Sequence, residues 1–215
     1  MNRRIKGLIF DLDGVLVTTE HNHFIAWKNT AEILGIPFNE EDNEQLKGIS
    51  RVDSLKKILE LGNKSISDET FNELLTKKNE YYLNSIADIN QSNLLPGVLS
   101  VLKNAQLHGI KCAVGSSSKN ARFILSKLQI DSYFSVIVDG NDVSFPKPHP
   151  EVFLKGAQQM GLEPFECIVF EDAKSGVQAA KEGGFTAIGV GNPTLIDFVD
   201  SYLLNLNEFS LEEYA

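Results

Sequence analysis

Apolar residues occur in two rhythms along this chain. Unbroken or nearly unbroken runs span Ile5 to Phe10, Lys111 to Gly115, Val136 to Val138, Ile168 to Phe170 and Ala187 to Val190. Between the later runs, apolar positions recur three and four residues apart. Val98, Val101, Leu102 and Ala105 form one such set, and Ala121, Ile124, Leu125 and Leu128 another; each set defines a single helix face. Short buried strands separated by amphipathic helices predict a parallel sheet with helices on both sides. The expected fold is therefore α/β, with a Rossmann-like core.

The stretch that follows the first run keeps only the helical rhythm. Phe24, Trp27, Ala31 and Leu34 line one helix, Leu55, Ile58 and Leu59 a second, and Phe71, Leu74, Leu75 and Tyr82 a third. The pattern predicts an all-helical cap domain over residues 18–93, inserted into a core built from 1–17 and 94–215. Leu95-Pro96-Gly97 marks the return to the core. An insert at this point would sit over the carboxyl ends of the strands, where open parallel sheets bind ligands.

Composition narrows the class. With 42% hydrophobic and 23% charged residues, the chain can build an ordinary globular core. No run approaches the ~18 apolar residues that span a bilayer. Arg3 and Arg4 make the start basic, but the apolar run behind them is too short for a secretory signal and runs into Asp11 and Asp13. A cytoplasmic protein with no membrane partner is expected. Cys112 and Cys167 lie far apart in apolar runs, without metal-ligand or disulfide spacing, and read as buried apolar residues. The net charge of −9 argues against nucleic acid as a partner. It leaves room for basic groups that converge locally on an anion.

Four segments carry chemistry. The first strand ends in Phe10-Asp11-Leu12-Asp13-Gly14. Alternation along a strand lets both carboxylates point the same way, and Gly14 allows an immediate sharp turn. Alone, the pair reads equally as a helix cap or a structural metal site. Ser116-Ser117-Ser118 closes the second strand before a helix starting near Asn120. Ser116 is then either a helix cap or a phosphate ligand supported by backbone N–H groups. Pro146-Lys147-Pro148 holds a lysine in a stiff loop, and Glu171-Asp172 ends a later strand in two more acids. Gathered together, these four carboxylates would repel one another unless Lys147 and a divalent cation intervened. An all-oxygen site of this kind suits Mg²⁺.

In this order the segments resemble the four motifs of the haloacid dehalogenase (HAD) superfamily, and the resemblance covers essentially the whole chain. It implies that Asp11 is the nucleophile, which becomes an aspartyl phosphate. Asp13 would be the general acid and base. Mg²⁺ would be held by Asp11, the Asp13 backbone carbonyl and Asp172, with Glu171 close by. Ser116 and Lys147 would hold the phosphoryl oxygens.

The insert suggests which reaction this core performs. Leu46-Lys47-Gly48-Ile49-Ser50-Arg51, His23-Phe24-x-x-Trp27, Lys77-Lys78-Asn79 and Ser116-Ser117-Ser118-Lys119-Asn120 are similar to the signatures of superfamily members that move phosphoryl groups on β-glucose phosphates. The resemblance implies that β-D-glucose 1-phosphate and glucose 6-phosphate interconvert through β-glucose 1,6-bisphosphate. Arg51 would grip the second phosphate, completed by Ser118, Lys119 and Asn120. Lys47, Gly48 and Ser50 would line the sugar pocket. His23 and Trp27 would shape the cap–core junction, with Lys78 reaching toward the sugar.

Each of these cap residues has a plainer reading. Trp27 can be core, Arg51 can start a solvated helix, and the Lys77-Lys78 pair can face water. Departures from the pattern are Ala173 after the Glu-Asp pair and Thr18-Thr19 after the first motif, where Thr19 can still form a hinge hydrogen bond. A phosphatase acting on a small phosphorylated metabolite is the main rival reading. A noncatalytic sugar-phosphate sensor is disfavoured by the intact acids, Ser116 and Lys147. A cap joined by two short segments points to a monomer.

Overall fold

The computed structural model describes residues 5–214, so the basic start at Arg3-Arg4 lies outside the described residues. The chain divides into two compact units. One is Thr19–Asp88, and the other is the sequence on either side of it.

The larger unit is built on a sheet of six parallel strands among the described residues. They are β1 (Gly7–Phe10), β2 (Lys111–Gly115), β3 (Val136–Val138), β4 (Cys167–Glu171), β5 (Thr186–Val190) and β6 (Ser201–Leu203). Their spatial order is β3-β2-β1-β4-β5-β6. The expected α/β class holds, with helices Val98–Leu107, Ala121–Lys127, Glu151–Met160 and Lys174–Glu182 (α5 to α8) between the strands. Every residue of β1 and β4 is buried, which explains why these strands read as unbroken apolar runs. Two differences concern the strands. β1 starts at Gly7 rather than Ile5, because Lys6 instead bonds Glu166 through its backbone N–H. β6 was not anticipated: Ser201–Leu203 is only three residues long and half-buried throughout, too short to show a strand rhythm.

The strand order places β1 at the centre. The chain first builds outward through β2 and β3, then returns to the other side of β1 for β4, β5 and β6. β1 and β4 pair in register from Gly7 with Cys167 to Phe10 with Phe170. The carboxyl ends at this reversal of direction are Asp11 and Glu171, the position where such sheets form a crevice. On one face Ile9, Ala113 and Val169 pack against Val152, Phe153, Ala157 and Ala180 from α7 and α8. On the other, Phe10 stacks on Phe170 with centroids 4.9 Å apart, and Phe209 meets Phe170 edge-on at 4.9 Å. Burying one such ring contributes roughly 2–3 kcal/mol, so the aromatic stack anchors both strands whose tips carry acids.

The smaller unit holds Glu20–Ile33, Glu40–Glu44, Arg51–Leu61 and Asp68–Ser85 (α1 to α4). Its core is Trp27, Ala31, Leu34, Ile36, Leu46, Leu55, Ile58, Leu59 and Leu74. The helix starts are set by side chains. Ser50 accepts from the Asp53 N–H, Ser67 from the Thr70 N–H, and Asn39 forms a reciprocal capping box with Asp42.

The insert was expected to run to residue 93, but residues 89–93 group with the sheet-bearing unit. The reason is local pairing. Val17 and Leu94 form an antiparallel bridge, and the Leu95 N–H donates to the Leu16 carbonyl, so the outgoing and returning chains are zipped together.

Gly97 starts α5 at φ +89°, and a Cβ there would lie 2.2 Å from the backbone nitrogen of Asn207. Alanine would require both a left-handed conformation and displacement of backbone. Gly97→Ala should lower unfolding free energy by at least about 2 kcal/mol, measured by urea denaturation.

Candidate active site

Asp11 follows β1 directly, and its N–H donates to the Phe170 carbonyl at 3.0 Å. The β1–β4 ladder therefore continues one residue past the strand and fixes the Asp11 backbone. Its buried carboxylate accepts a hydrogen bond from Lys147 Nζ at 2.6 Å. The same ammonium donates to Glu171 Oε1 at 2.5 Å. Lys147 is itself buried, 4.6 Å from the centroid of the Phe153 ring. That ring occupies the space a side chain at Gly115 would need, since a Cβ there would lie 2.7 Å from it. Gly115 thus gives room to the aromatic platform under the lysine.

The other oxygen of Glu171 accepts from the backbone N–H groups of Asp172 (3.0 Å) and Ala173 (3.1 Å). Ala173 supplies this bond from its backbone, so the lack of a hydroxyl there leaves the Glu171 carboxylate anchored. Two glycines make room for the acids. A Cβ on Gly176 would lie 1.7 Å from Glu171 Oε1, and one on Gly14 would lie 2.1 Å from Asp172 Oδ2. Gly14 also has φ +81°, a left-handed turn that other residues adopt at a cost.

Asp11, Glu171 and Asp172 bring one carboxylate oxygen each to within 4.8 Å of one another. Three carboxylates against one ammonium leave excess negative charge, so the donor set fits a hard divalent cation. The side chain of Asp13, the fourth acid of the expected metal site, is not in this group. Asp13 is half-buried on the loop where Gly14 N–H donates to the Val17 carbonyl. Without a cation, burial pushes Asp11 up to about 7. Lys147 pulls against that shift, and the charge of Glu171 reinforces it. For Lys147, burial opposes the charge, but Asp11 and Glu171 outweigh it and hold the ammonium above its ordinary range. The lysine remains charged and Asp11 is the group that titrates.

Beyond β2, Ser116 is buried and its N–H donates to the Val138 carbonyl at 3.0 Å. Its Oγ accepts from the Ser118 N–H at 3.1 Å, and Ser118 Oγ accepts from the Asn120 N–H at 3.2 Å. The two hydroxyls thus fold the loop into consecutive turns that end at Asn120, the residue before α6. Lys119 is exposed on this loop.

In the smaller unit the expected residues form two groups. Lys78 is buried, 2.9 Å from His23 Nδ1, and lies 4.6 and 4.9 Å from the ring centroids of Trp27 and Tyr82. It does not face water, and Trp27 belongs to the core while also flanking this lysine. His23 stacks on Tyr82 at 4.1 Å, and Tyr82 OH shares a 2.9 Å hydrogen bond with Thr19 Oγ1. Tyr82 therefore organises this group, although the sequence pattern marked it only as an apolar helix position. Its spacing of four residues from Lys78 was the available signal.

The second group surrounds the start of α3. Gly48 has φ +73° and Ser50 caps the helix. Lys47 pairs with Glu20 at 3.1 Å and with Glu44 at 2.9 Å. Arg51 is half-buried, and burial lowers its affinity for the proton. Among the described residues no carboxylate lies within ion-pair distance of it.

Residues 8–190 match the haloacid dehalogenase-like hydrolase family. The chain is 38% identical to the β-phosphoglucomutase of Bacillus subtilis, over 97% of this chain and 93% of that protein. It is 31% identical to a phosphorylated carbohydrates phosphatase of Thermotoga maritima, over 86% of this chain and 84% of that protein. Among solved structures, the β-phosphoglucomutase of Clostridium difficile superimposes with a TM-score of 0.94 at 38% identity, covering 97% of this chain and 95% of that one.

Two outcomes follow from the carboxylate geometry. In Gly176→Ala the Glu171 carboxylate must swing away and release Lys147, so turnover of a small phosphoester should fall about 100-fold. The measurement is kcat for p-nitrophenyl phosphate, alongside a melting curve showing that the variant is folded. The second concerns pH. Asp11 binds its proton more tightly folded (about 7) than its ordinary value of 3.8. The cation-free protein therefore loses stability as pH rises through that interval. A divalent cation binds the ionised carboxylates, so Mg²⁺ should raise Tm more at about pH 8 than at about pH 5, read by calorimetry.

Proposed function

This chain belongs to the haloacid dehalogenase-like hydrolase family, and from that premise we propose that it interconverts β-D-glucose 1-phosphate and glucose 6-phosphate. The route runs through an aspartyl phosphate on Asp11 and through β-glucose 1,6-bisphosphate. The chain acts as a phosphomutase, with sugar phosphates as ligands and no nucleic acid or membrane partner. No helix among the described residues is long and apolar enough to cross a membrane, which supports a cytoplasmic setting.

The chemistry proceeds from the residues already described. The Asp11 carboxylate attacks phosphorus and forms the aspartyl phosphate, an acyl phosphate, while the donor oxygen departs. Asp13 gives that oxygen a proton and later takes one from the incoming sugar hydroxyl. Lys147 and Ser116 offset the negative charge on the equatorial oxygens. Glu171 keeps Lys147 aimed at Asp11. Asp11, Asp172 and Glu171, with the Asp13 carbonyl, would hold Mg²⁺, which supplies charge neutralisation between nucleophile and phosphoryl group.

A mutase must hold two phosphates at once, one reacting and one anchored. The observation that carries the mutase reading is Arg51, a half-buried guanidinium with no carboxylate partner among the described residues. A planar guanidinium fork suits bidentate capture of a phosphate. Ser118, Lys119 and Asn120 are proposed as further phosphate ligands, and Lys47, Gly48, Ser50, His23, Trp27 and Lys78 as sugar-phosphate-binding residues. The likeness to the Thermotoga maritima phosphatase favours a second reading, in which water replaces the sugar hydroxyl as acceptor.

A coupled assay with Mg²⁺ and a trace of bisphosphate, run beside a phosphate-release screen, separates the two. Fast conversion of β-glucose 1-phosphate with slow phosphate release is expected. Brisk phosphate release with no conversion would establish the hydrolase instead. Arg51→Ala should lower mutase kcat/KM by about 100-fold or more, the loss of a charge-assisted bidentate contact. It should leave p-nitrophenyl phosphate hydrolysis within about twofold.

A further inference from the structure

Among the described residues Asp139 is a third buried carboxylate, at 1% exposure, placed at the carboxyl end of the edge strand β3, and the reaction described above does not use it. It follows β3 directly. One carboxylate oxygen accepts from the Asn141 N–H at 2.8 Å and from Asn141 Nδ2 at 2.9 Å. The other lies 3.3 Å from Arg122 Nε. Arg122 also reaches Asp142, whose carboxylate accepts from the Asp139 N–H at 2.9 Å. These bonds close residues 139–142 into a tight turn pinned to α6.

That turn grips the loop between β2 and α6 at successive carbonyls. The Gly140 N–H donates to the Ser118 carbonyl at 3.3 Å, and Asn141 Nδ2 donates to the Lys119 carbonyl at 3.1 Å. The two backbones are in direct contact, since a Cβ on Gly140 would lie 2.5 Å from the Ser117 carbonyl oxygen. Ser116 is held differently, through the Val138 carbonyl within the β2–β3 ladder. The loop thus has two independent supports, the sheet under Ser116 and the Asp139 turn under Ser118 and Lys119.

We propose that Asp139 is a positioning residue for the anchored phosphate. By fixing the 139–142 turn it holds the Ser118 and Lys119 carbonyls back, so that the polar groups of Ser118–Asn120 present to the non-reacting phosphate in one geometry. The inference rests on the assignment of Ser118–Asn120 to that phosphate and deepens it. Its distinctive consequence is a split: binding of the sugar phosphate depends on Asp139, whereas phosphoryl transfer at Asp11, supported by Ser116 and Lys147, does not.

The test compares wild type, Asp139→Ala and Asn141→Ala. Loss of charge-assisted hydrogen bonds of this kind is expected to raise KM for β-glucose 1-phosphate about tenfold in Asp139→Ala. It should weaken glucose 6-phosphate binding by a similar factor in titration calorimetry, with kcat and p-nitrophenyl phosphate hydrolysis within about twofold. Asn141→Ala removes an exposed side chain and keeps the fold. It should shift KM the same way by about threefold, and it carries the test if Asp139→Ala does not fold. Unchanged KM and unchanged glucose 6-phosphate affinity in the folded variants would overturn the proposal, as would an equal loss in p-nitrophenyl phosphate hydrolysis. If wild type converts no β-glucose 1-phosphate yet binds glucose 6-phosphate, the mutase reading fails alone and the calorimetric comparison still decides the role of Asp139. If wild type binds no sugar phosphate, this inference falls with it.

Discussion

One buried ammonium organises the catalytic end of the sheet. Lys147 reaches Asp11 and Glu171 with single hydrogen bonds of 2.6 and 2.5 Å, and all three groups are shielded from water. In such surroundings a charge without a partner costs several kcal/mol, so each member is held in place by the need of the others. Yet the balance is incomplete, because Asp172 adds a third carboxylate beside the pair. The protein has arranged more negative charge than it neutralises. That deficit suits the site to a hard divalent cation.

The rest of the larger unit serves this arrangement. The aromatic stack of Phe10, Phe170 and Phe209 ties together the two strands whose ends carry Asp11 and Glu171. Phe153 fills the space left by Gly115 and lies against the lysine from below. Glu151 does a similar job for the loop that delivers Lys147. It accepts from the N–H groups of Ser144 and Phe145 and pairs with Lys155. Lys155 and these two N–H groups hold its carboxyl well below the usual range. In the smaller unit, Tyr82 ties Thr19, His23 and Lys78 into a compact polar group set among aromatic rings.

The α/β class was legible because strands buried on both faces must be apolar throughout, and helices between them must be apolar on one side. Where that logic weakens, so did the reading. β6 lies at the sheet edge with three half-buried residues, too few to establish a strand rhythm. Lys147 stood out because two prolines flank it and the sequence set it among four acids, but not which two of them it would bridge. Lys78 had a misleading neighbour in Lys77. The pair suggested a solvated face, whereas four-residue spacing to Tyr82 and the nearby His23 turn Lys78 inward. Asp139 was invisible for a different reason. A single acid after a short strand resembles any loop residue until the turn it closes is seen.

The contact between Gly176 and the Glu171 carboxylate has an evolutionary corollary. With only 1.7 Å between a hypothetical methyl and the acid oxygen, neither position can drift alone. Shortening the acid would open a void and strand the ammonium, while enlarging the glycine would evict the acid. A larger residue at 176 is therefore compatible only with a different arrangement at 171, and a designer wishing to retune the pocket must treat the two positions as a single coupled choice.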